Sequence, residues 1–204
     1  MSPVDDDGVA TPAGRGAGWP FDLTGRVAVV TGAVSETGIG YATAELLARL
    51  GAAVLVTATS DWVAGRAEVL RAAGHDSHAV AADLTDPRPG ELVAGTATRR
   101  WGRIDILVNN AGMVSVTAAP DTQDGPVQHM TLQACHAGLS RNLDTAFLMT
   151  RAALPLMTGR PGRIVMISSV TGSVMAMRAD PVYAAAKAGM VGRTRALALD
   201  LASR

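Results

Sequence analysis

From Arg26 onward, short apolar runs alternate with amphipathic stretches. RVAVVTG is followed by IGYATAELLARLG, then AAVLVTA, then a helical stretch over 61–73, and the series continues with HAVAADL, a helical stretch ending near Trp101, and IDILVNNAG. Such alternation predicts βαβ units arranged around a parallel sheet. The strand-like runs lack inside/outside alternation, as expected when helices cover both faces of the sheet. After a looser connection over 114–133 with at most a short helix, residues 135–157 carry helical apolar spacing. GRIVMISS then reads as another buried strand. PVYAAAKAGMVGRTRALALDLA reads as an Ala-rich helix with Pro181 in its first turn, where a missing N–H does no harm. The fold class is therefore α/β, a doubly wound parallel sheet with helices on both faces.

Residues 1–20 combine Pro, Gly and acidic side chains with few large apolar groups, so burial cannot repay their ordering entropy; a flexible tail is expected there, and a single domain over 21–204. Hydrophobic residues make up 48% of the 204 and charged ones 18%, a balance that favours folding over disorder. Eighteen basic residues balance eighteen acidic ones, which removes the positive field that gathers nucleic acid or anionic membrane. Cys135 is the sole cysteine, so no intrachain disulfide can form and paired-Cys metal spacings are missing. The four histidines His75, His78, His129 and His136 form no ligand pattern and read as surface residues. With no secretory leader pattern and no run of eighteen apolar residues, the expectation is a soluble, cytoplasmic protein without metal, nucleic acid or membrane partners.

Two motifs carry chemistry on their own residues. Thr31 to Gly40, TGAVSETGIG, lies between a strand and a helix, where glycines permit a tight turn and the helix N-terminus attracts a pyrophosphate. In Tyr183-Ala-Ala-Ala-Lys187, a spacing of four stacks a phenol and an ammonium on one helix face. Free phenols ionise near pH 10, so acid/base work near neutrality calls for an adjacent cation. The only lysine in the chain and one of its two tyrosines fall on this pair.

The glycine-rich turn resembles the TGxxxGIG nucleotide fingerprint of short-chain dehydrogenases/reductases (SDRs), with five residues rather than three between the first two glycines. The departure implies a larger turn near the adenosine phosphate, to which Ser35, Glu36 or Thr37 could contribute. Asn109-Asn110-Ala111-Gly112 resembles the family's NNAG segment, although a plain turn uses the same residues. Asp83 matches the position that contacts the adenine amino group, and reads equally as a helix N-cap. Ser169 lies where the family places the serine that hydrogen-bonds the substrate carbonyl, fourteen residues before Tyr183 where thirteen is usual; on its own it could simply cap a turn. Asn142 resembles the asparagine that holds a water joining the lysine to solvent.

The resemblance implies a Rossmann-like fold and reversible hydride transfer between NAD(P) and an alcohol or ketone. It makes Asn142, Ser169, Tyr183 and Lys187 the catalytic set. Cofactor contacts fall to Gly32, Ser35, Gly38, Ile39, Gly40, Thr59, Ser60, Asp83, Leu84, Asn110, Ala111 and Gly112, together with Tyr183 and Lys187. The second strand ends Thr57-Ala58-Thr59-Ser60 without the acid that NAD-preferring sites use, so cofactor choice leans to NADP, although no arginine occupies that stretch and Glu36 opposes a 2′-phosphate. Val174 to Met177 suggests either an apolar wall beside the site or a packed loop. A homo-oligomer is expected. The sequence stops after the Tyr/Lys helix, where family members continue with further strands. A truncated sheet with GRIVMISS at its edge is therefore expected, and the alternative to an enzyme is a nucleotide-binding scaffold or sensor with weak or no turnover. A sugar-nucleotide epimerase shares the Tyr/Lys pair, but the TG and NNAG patterns favour the dehydrogenase branch.

Overall fold

A computed structural model of the protein describes residues 21–112, 125–159 and 161–202; the expected tail over 1–20 and most of the connection over 114–133 lie outside them. Five parallel strands, β1 (Val27–Thr31), β2 (Ala53–Ala58), β3 (Ser77–Ala81), β4 (Ile106–Asn109) and β5 (Arg163–Met166), form one sheet in the order β3-β2-β1-β4-β5. The order reverses between β1 and β4, which opens the switch-point crevice at the carboxyl ends of the strands where nucleotides bind in such folds.

Alternate residues of β1 supply two separate cores. Ala28 and Val30 pack with Val54 and Val56 of β2 under α1 (Ile39–Arg49) and α2 (Val63–Ala72). Val27 and Val29 pack with Leu55 and Leu107 under α3 (Pro87–Trp101) and α5 (Thr145–Ala153). Every residue of β1 is buried, and each such Val or Leu side chain contributes about 1.5–3 kcal/mol by leaving water. Asp86, not Asp83, caps α3, accepting the Arg88 N–H at 2.9 Å, with Pro87 at the first helical position. Asp83 instead closes its own turn, accepting the Thr85 N–H at 3.0 Å and the Thr85 hydroxyl at 2.7 Å.

Residues 132–153 run as α4 (Leu132–Leu139), a π-helical turn over Ser140–Asp144, and α5. The last elements are a four-residue turn, α6 (Val170–Ser173), in which Thr171 and Gly172 leave helical geometry, and α7 (Pro181–Asp200). β5 is less buried than its apolar sequence implies. Among the described residues it pairs only with β4, and Arg163 and Val165 are exposed, Val165 to 43%. The buried residues of α7 (Val182, Ala186, Lys187 and Met190) all fall in its first half, and Leu199 is exposed. Between β5 and the second half of α7 lies a cleft of about 640 Å³ lined by Leu154, Met157, Ile164, Met166 and Leu197.

Candidate active site

The glycine-rich turn is built against two neighbouring strands. Gly32 and Ala33 donate their N–H groups to Thr57 O of β2 at 2.7 and 3.2 Å, and Ala33 is fully buried. The extra length of the turn emerges at Ser35, Glu36 and Thr37, all exposed, before Gly38 N–H returns to Ser35 O at 3.1 Å. Gly40 cannot be replaced without disruption, because a Cβ there would lie 2.5 Å from Gly32 O and 2.6 Å from Asn110 Nδ2. Gly38 starts α1 with no side-chain cap, and the first turn carries no acidic residue. An uncapped eleven-residue helix that leaves its first N–H groups to a ligand fits the pyrophosphate of a dinucleotide.

The NNAG segment is locked to this turn by side chains. Thr31 Oγ1 accepts the N–H groups of Asn110 (3.0 Å) and Ala111 (2.8 Å), and Asn110 Nδ2 donates to Thr31 O (2.9 Å) and Gly32 O (3.0 Å). The Asn110 amide therefore positions the loop, and the Asn110 and Ala111 N–H groups are held by Thr31. Asn109 works inward, donating from Nδ2 to Thr150 Oγ1 at 3.0 Å. Thr59 is exposed and Ser60 half-buried at the end of β2, and Ile39 is exposed beside the turn. Leu84 sends its side chain into the core under α3, so any nucleotide contact at Leu84 falls to its backbone.

The proposed catalytic groups stand on three elements. Lys187, only 3% exposed, donates from Nζ to Ile167 O just past β5 at 2.9 Å and lies 5.5 Å from the centre of the Tyr183 ring. Burial lowers the pKa of its ammonium below the ordinary lysine value. Asn142, buried within the π turn, donates from Nδ2 to Gly138 O at 3.1 Å. A Cβ on Gly112 would lie 3.0 Å from Asn142 Oδ1 and 3.6 Å from Lys187 Nζ, so this bare glycine, at φ +145°, is where both polar groups approach the NNAG segment. A π turn inserts an extra residue into the helical ladder and re-aims the side chains around it.

Ser169 starts α6, its Oγ accepting the Thr171 N–H at 3.1 Å, so the capping duty open to it in the sequence is real. Ser168 is committed elsewhere, donating to Lys187 O at 2.9 Å. The α6 turn is wedged against the first turns of α7: a Cβ on Gly172 would lie 2.8 Å from the Ala184 carbonyl carbon. The segment from Val174 to Met177 is not a packed loop, since Val174, Met175 and Met177 are all exposed.

Sequence reading missed two contributors, Thr31 and Arg66, and one role of Gly112. Thr31 gave no signal beyond being the T of the fingerprint. Gly112 reads in the sequence as a cofactor contact, with no sign of its closeness to Asn142 and Lys187. Arg66 of α2 donates from Nε to Val34 O at 2.9 Å and from Nη1 to Glu36 at 2.6 Å. It lies thirty residues from its acidic partner, beyond any local pattern. Among the described residues, no group of three or more His, Cys, Asp or Glu could hold a metal, and no helix is long and apolar enough to cross a membrane.

Comparison with known proteins agrees with this fold. The family model described as short chain dehydrogenase matches residues 26–204. The chain is 39% identical over 185 residues to the 3-oxoacyl-[acyl-carrier-protein] reductase FabG of Vibrio cholerae, covering 90% of this chain and 70% of that protein. It is 38% identical over 181 residues to the oxidoreductase UcpA of Escherichia coli K12, covering 88% of this chain and 65% of that protein. Among solved structures, a short chain dehydrogenase from Mycobacterium smegmatis superposes with a TM-score of 0.80 at 30% identity, over 93% of this chain and 77% of the other. A dehydrogenase/reductase from Sinorhizobium meliloti 1021 superposes with a TM-score of 0.81 at 30% identity, over 90% and 69%. The fold, the uncapped α1 and the matched sequence together place this chain in the short-chain dehydrogenase/reductase family of NAD(P)-binding oxidoreductases.

Proposed function

We propose that this chain interconverts an alcohol and its carbonyl compound, with Tyr183 exchanging the oxygen-bound proton. The observation that carries this reading is the placement of Lys187: a buried ammonium 5.5 Å from the Tyr183 ring, held by Ile167 O and facing Asn142 across Gly112. Bound NAD(P) supplies the hydride donor or acceptor. The uncapped N-terminus of α1 and the backbone of 110–112 hold the nucleotide, with Thr59, Ser60 and Asp83 toward its adenosine end. Among the described residues Lys187 Nζ makes one hydrogen bond, which leaves two N–H donors for a ribose hydroxyl and for a water shared with Asn142 Oδ1. Its positive charge stabilises the negative charge that develops on the Tyr183 oxygen as the proton is passed to the substrate oxygen. Ser169 Oγ–H donates to the substrate oxygen while its lone pair keeps the Thr171 N–H.

The exposed Val174, Met175 and Met177 offer an adaptable apolar wall, so ketones and secondary alcohols with hydrophobic substituents are the preferred substrate class. Homo-oligomerisation and a cytoplasmic location belong to the same proposal. The test is a screen of NADPH and NADH oxidation against varied ketones, and of NADP and NAD reduction against the matching alcohols. Turnover that disappears in Tyr183→Phe supports the proposal. Cofactor binding without turnover on any compound turns it into a non-catalytic nucleotide-binding role.

A further inference from the structure

We infer that Arg66 is the residue by which this chain recognises the 2′-phosphate of NADP(H), with Glu36 as its resting counter-ion. The inference rests on the nucleotide site proposed above and goes beyond it, since nothing in the fingerprint or in the β2 terminus supplies a cation there. In a doubly wound sheet the adenosine ribose lies between the loops that follow the first and second strands. Arg66 bridges these two loops. It stands on α2, the helix entered from β2 through Thr59 and Ser60, and reaches across to the turn that leaves β1. Nε is anchored on Val34 O at 2.9 Å, and the guanidinium carbon stacks 5.6 Å from the centre of the Tyr41 ring, itself buried in α1. The head group is thus fixed by two contacts that carry no negative charge. Its third contact, Nη1 to Glu36 at 2.6 Å, is to a carboxylate that is 71% exposed, on the outer part of the lengthened turn.

This division of labour permits an exchange of anions. Glu36 sits on an exposed turn and can leave Nη1 for water at little loss, because an exposed ion pair is weak. A 2′-phosphate arriving between the loops takes its place, and Nε keeps its hold on Val34 O throughout. Guanidinium suits this partner because its planar fork matches phosphate oxygens. With NAD(H) there is no phosphate to claim the fork, Glu36 stays in place, and Arg66 contributes nothing specific. The carboxylate that would oppose NADP is therefore neutralised in the resting protein by the same side chain that welcomes the phosphate.

The test is direct binding, without turnover: dissociation constants of NADPH and NADH, from their fluorescence on titration, for the full chain, Arg66→Gln and Glu36→Gln, each checked by thermal unfolding. Arg66→Gln is expected to weaken NADPH at least about tenfold and leave NADH within about threefold, as befits loss of one charge-assisted contact. Glu36→Gln is expected to tighten NADPH, because a competitor for Nη1 is gone, and to leave NADH unchanged. Equal weakening of both cofactors by Arg66→Gln would mean that the arginine merely holds the turn, and unchanged NADPH affinity would mean that it does not meet the phosphate; either overturns the inference with the nucleotide site intact. Failure of the unsubstituted chain to bind either cofactor overturns the site itself.

Discussion

Replacing Gly172 by alanine should disable the site from a position that carries no reactive group. Gly172 lies in α6 at φ +90°, and its missing Cβ would stand 2.8 Å from the carbonyl carbon and 3.0 Å from the Cα of Ala184, with the Ala184 oxygen closer still. Carbon atoms are comfortable at about 3.5–4.0 Å, so α6 must retreat from α7 by about 1 Å. Ser169 opens α6, and Tyr183 is the residue next to Ala184, so that retreat separates the two groups proposed to hold the substrate oxygen. A misplacement of about 1 Å is worth on the order of a hundredfold in rate, or about 2.7 kcal/mol. The left-handed φ adds about 1–3 kcal/mol of destabilisation, and overpacking a similar amount.

The assay pairs kcat on the best ketone found with NADPH affinity by fluorescence and with the thermal midpoint. The expectation is a kcat about a hundredfold lower at conserved NADPH affinity, since the glycine-rich turn is at another strand end. Gly74→Ala is the control: Gly74 has φ +85° but nothing within 4 Å of its Cβ position, so it carries the backbone strain without the wedge and should leave kcat unchanged. A Gly172→Ala enzyme within threefold of the parent kcat would refute the reasoning. So would a Gly74→Ala enzyme that loses as much.

Three further outcomes are expected. Tyr183→Phe should abolish turnover with cofactor affinity kept within a few-fold, and retention of more than a tenth of the activity would remove Tyr183 from its role. Asp105, 2% exposed, accepts from Arg26 (3.0 Å), the Val27 N–H (3.0 Å) and Arg103 (2.7 and 2.8 Å); burial alone would raise its pKa, but the Arg103, Val27 and Arg26 hydrogen bonds outweigh it and leave the carboxyl below the ordinary value. Its contribution is therefore complete above about pH 4 and lost as pH falls through the lowered value, and Asp105→Asn should cost about 2–3 kcal/mol in urea unfolding at pH 7 and flatten the acid limb. Lys187→Ala should weaken both cofactor binding and turnover, and an effect on only one of the two would contradict the dual role given to the ammonium.

Much of this was legible in the sequence because it depends on local pattern. The continuous apolar runs of β1, β2 and β4 announce strands covered on both faces, and all three are buried apart from their first residues in β2 and β4. Apolar runs alone overstate the burial of β5, since they report what a strand could bury and not whether a neighbour exists to cover it; the expectation of GRIVMISS at the sheet edge is the one that matches, and Val165 has no neighbour on its outer side among the described residues. Asp83 and Asp86 show a second limit. Both suit a helix start, and only Pro87, fixing the first helical position, decides for Asp86. Interactions at long range left no trace at all. Arg66 reaches Glu36 across thirty residues and Thr31 meets Asn110 across seventy-nine, and neither has a period or motif that would pair them.

Lys187 shows what the site takes from the fold. Its burial disfavours the ammonium, so the folded pKa lies below the unfolded value of about 10.4, and the charged form is a standing burden on stability at neutral pH. The sign is fixed by linkage: the unfolded chain binds this proton more tightly, so stability is lowest below the folded pKa and rises as pH climbs from that value toward about 10.4. Lys187→Met keeps the length and apolar stem and deletes the titration, at the loss of the hydrogen bond to Ile167 O. Urea unfolding of both proteins from pH 6 to 10 should therefore show the parent gaining stability relative to Lys187→Met in the upper part of that range. A difference that stays flat, or that turns against the parent as pH rises, would show that burial does not hold the ammonium against its own preference.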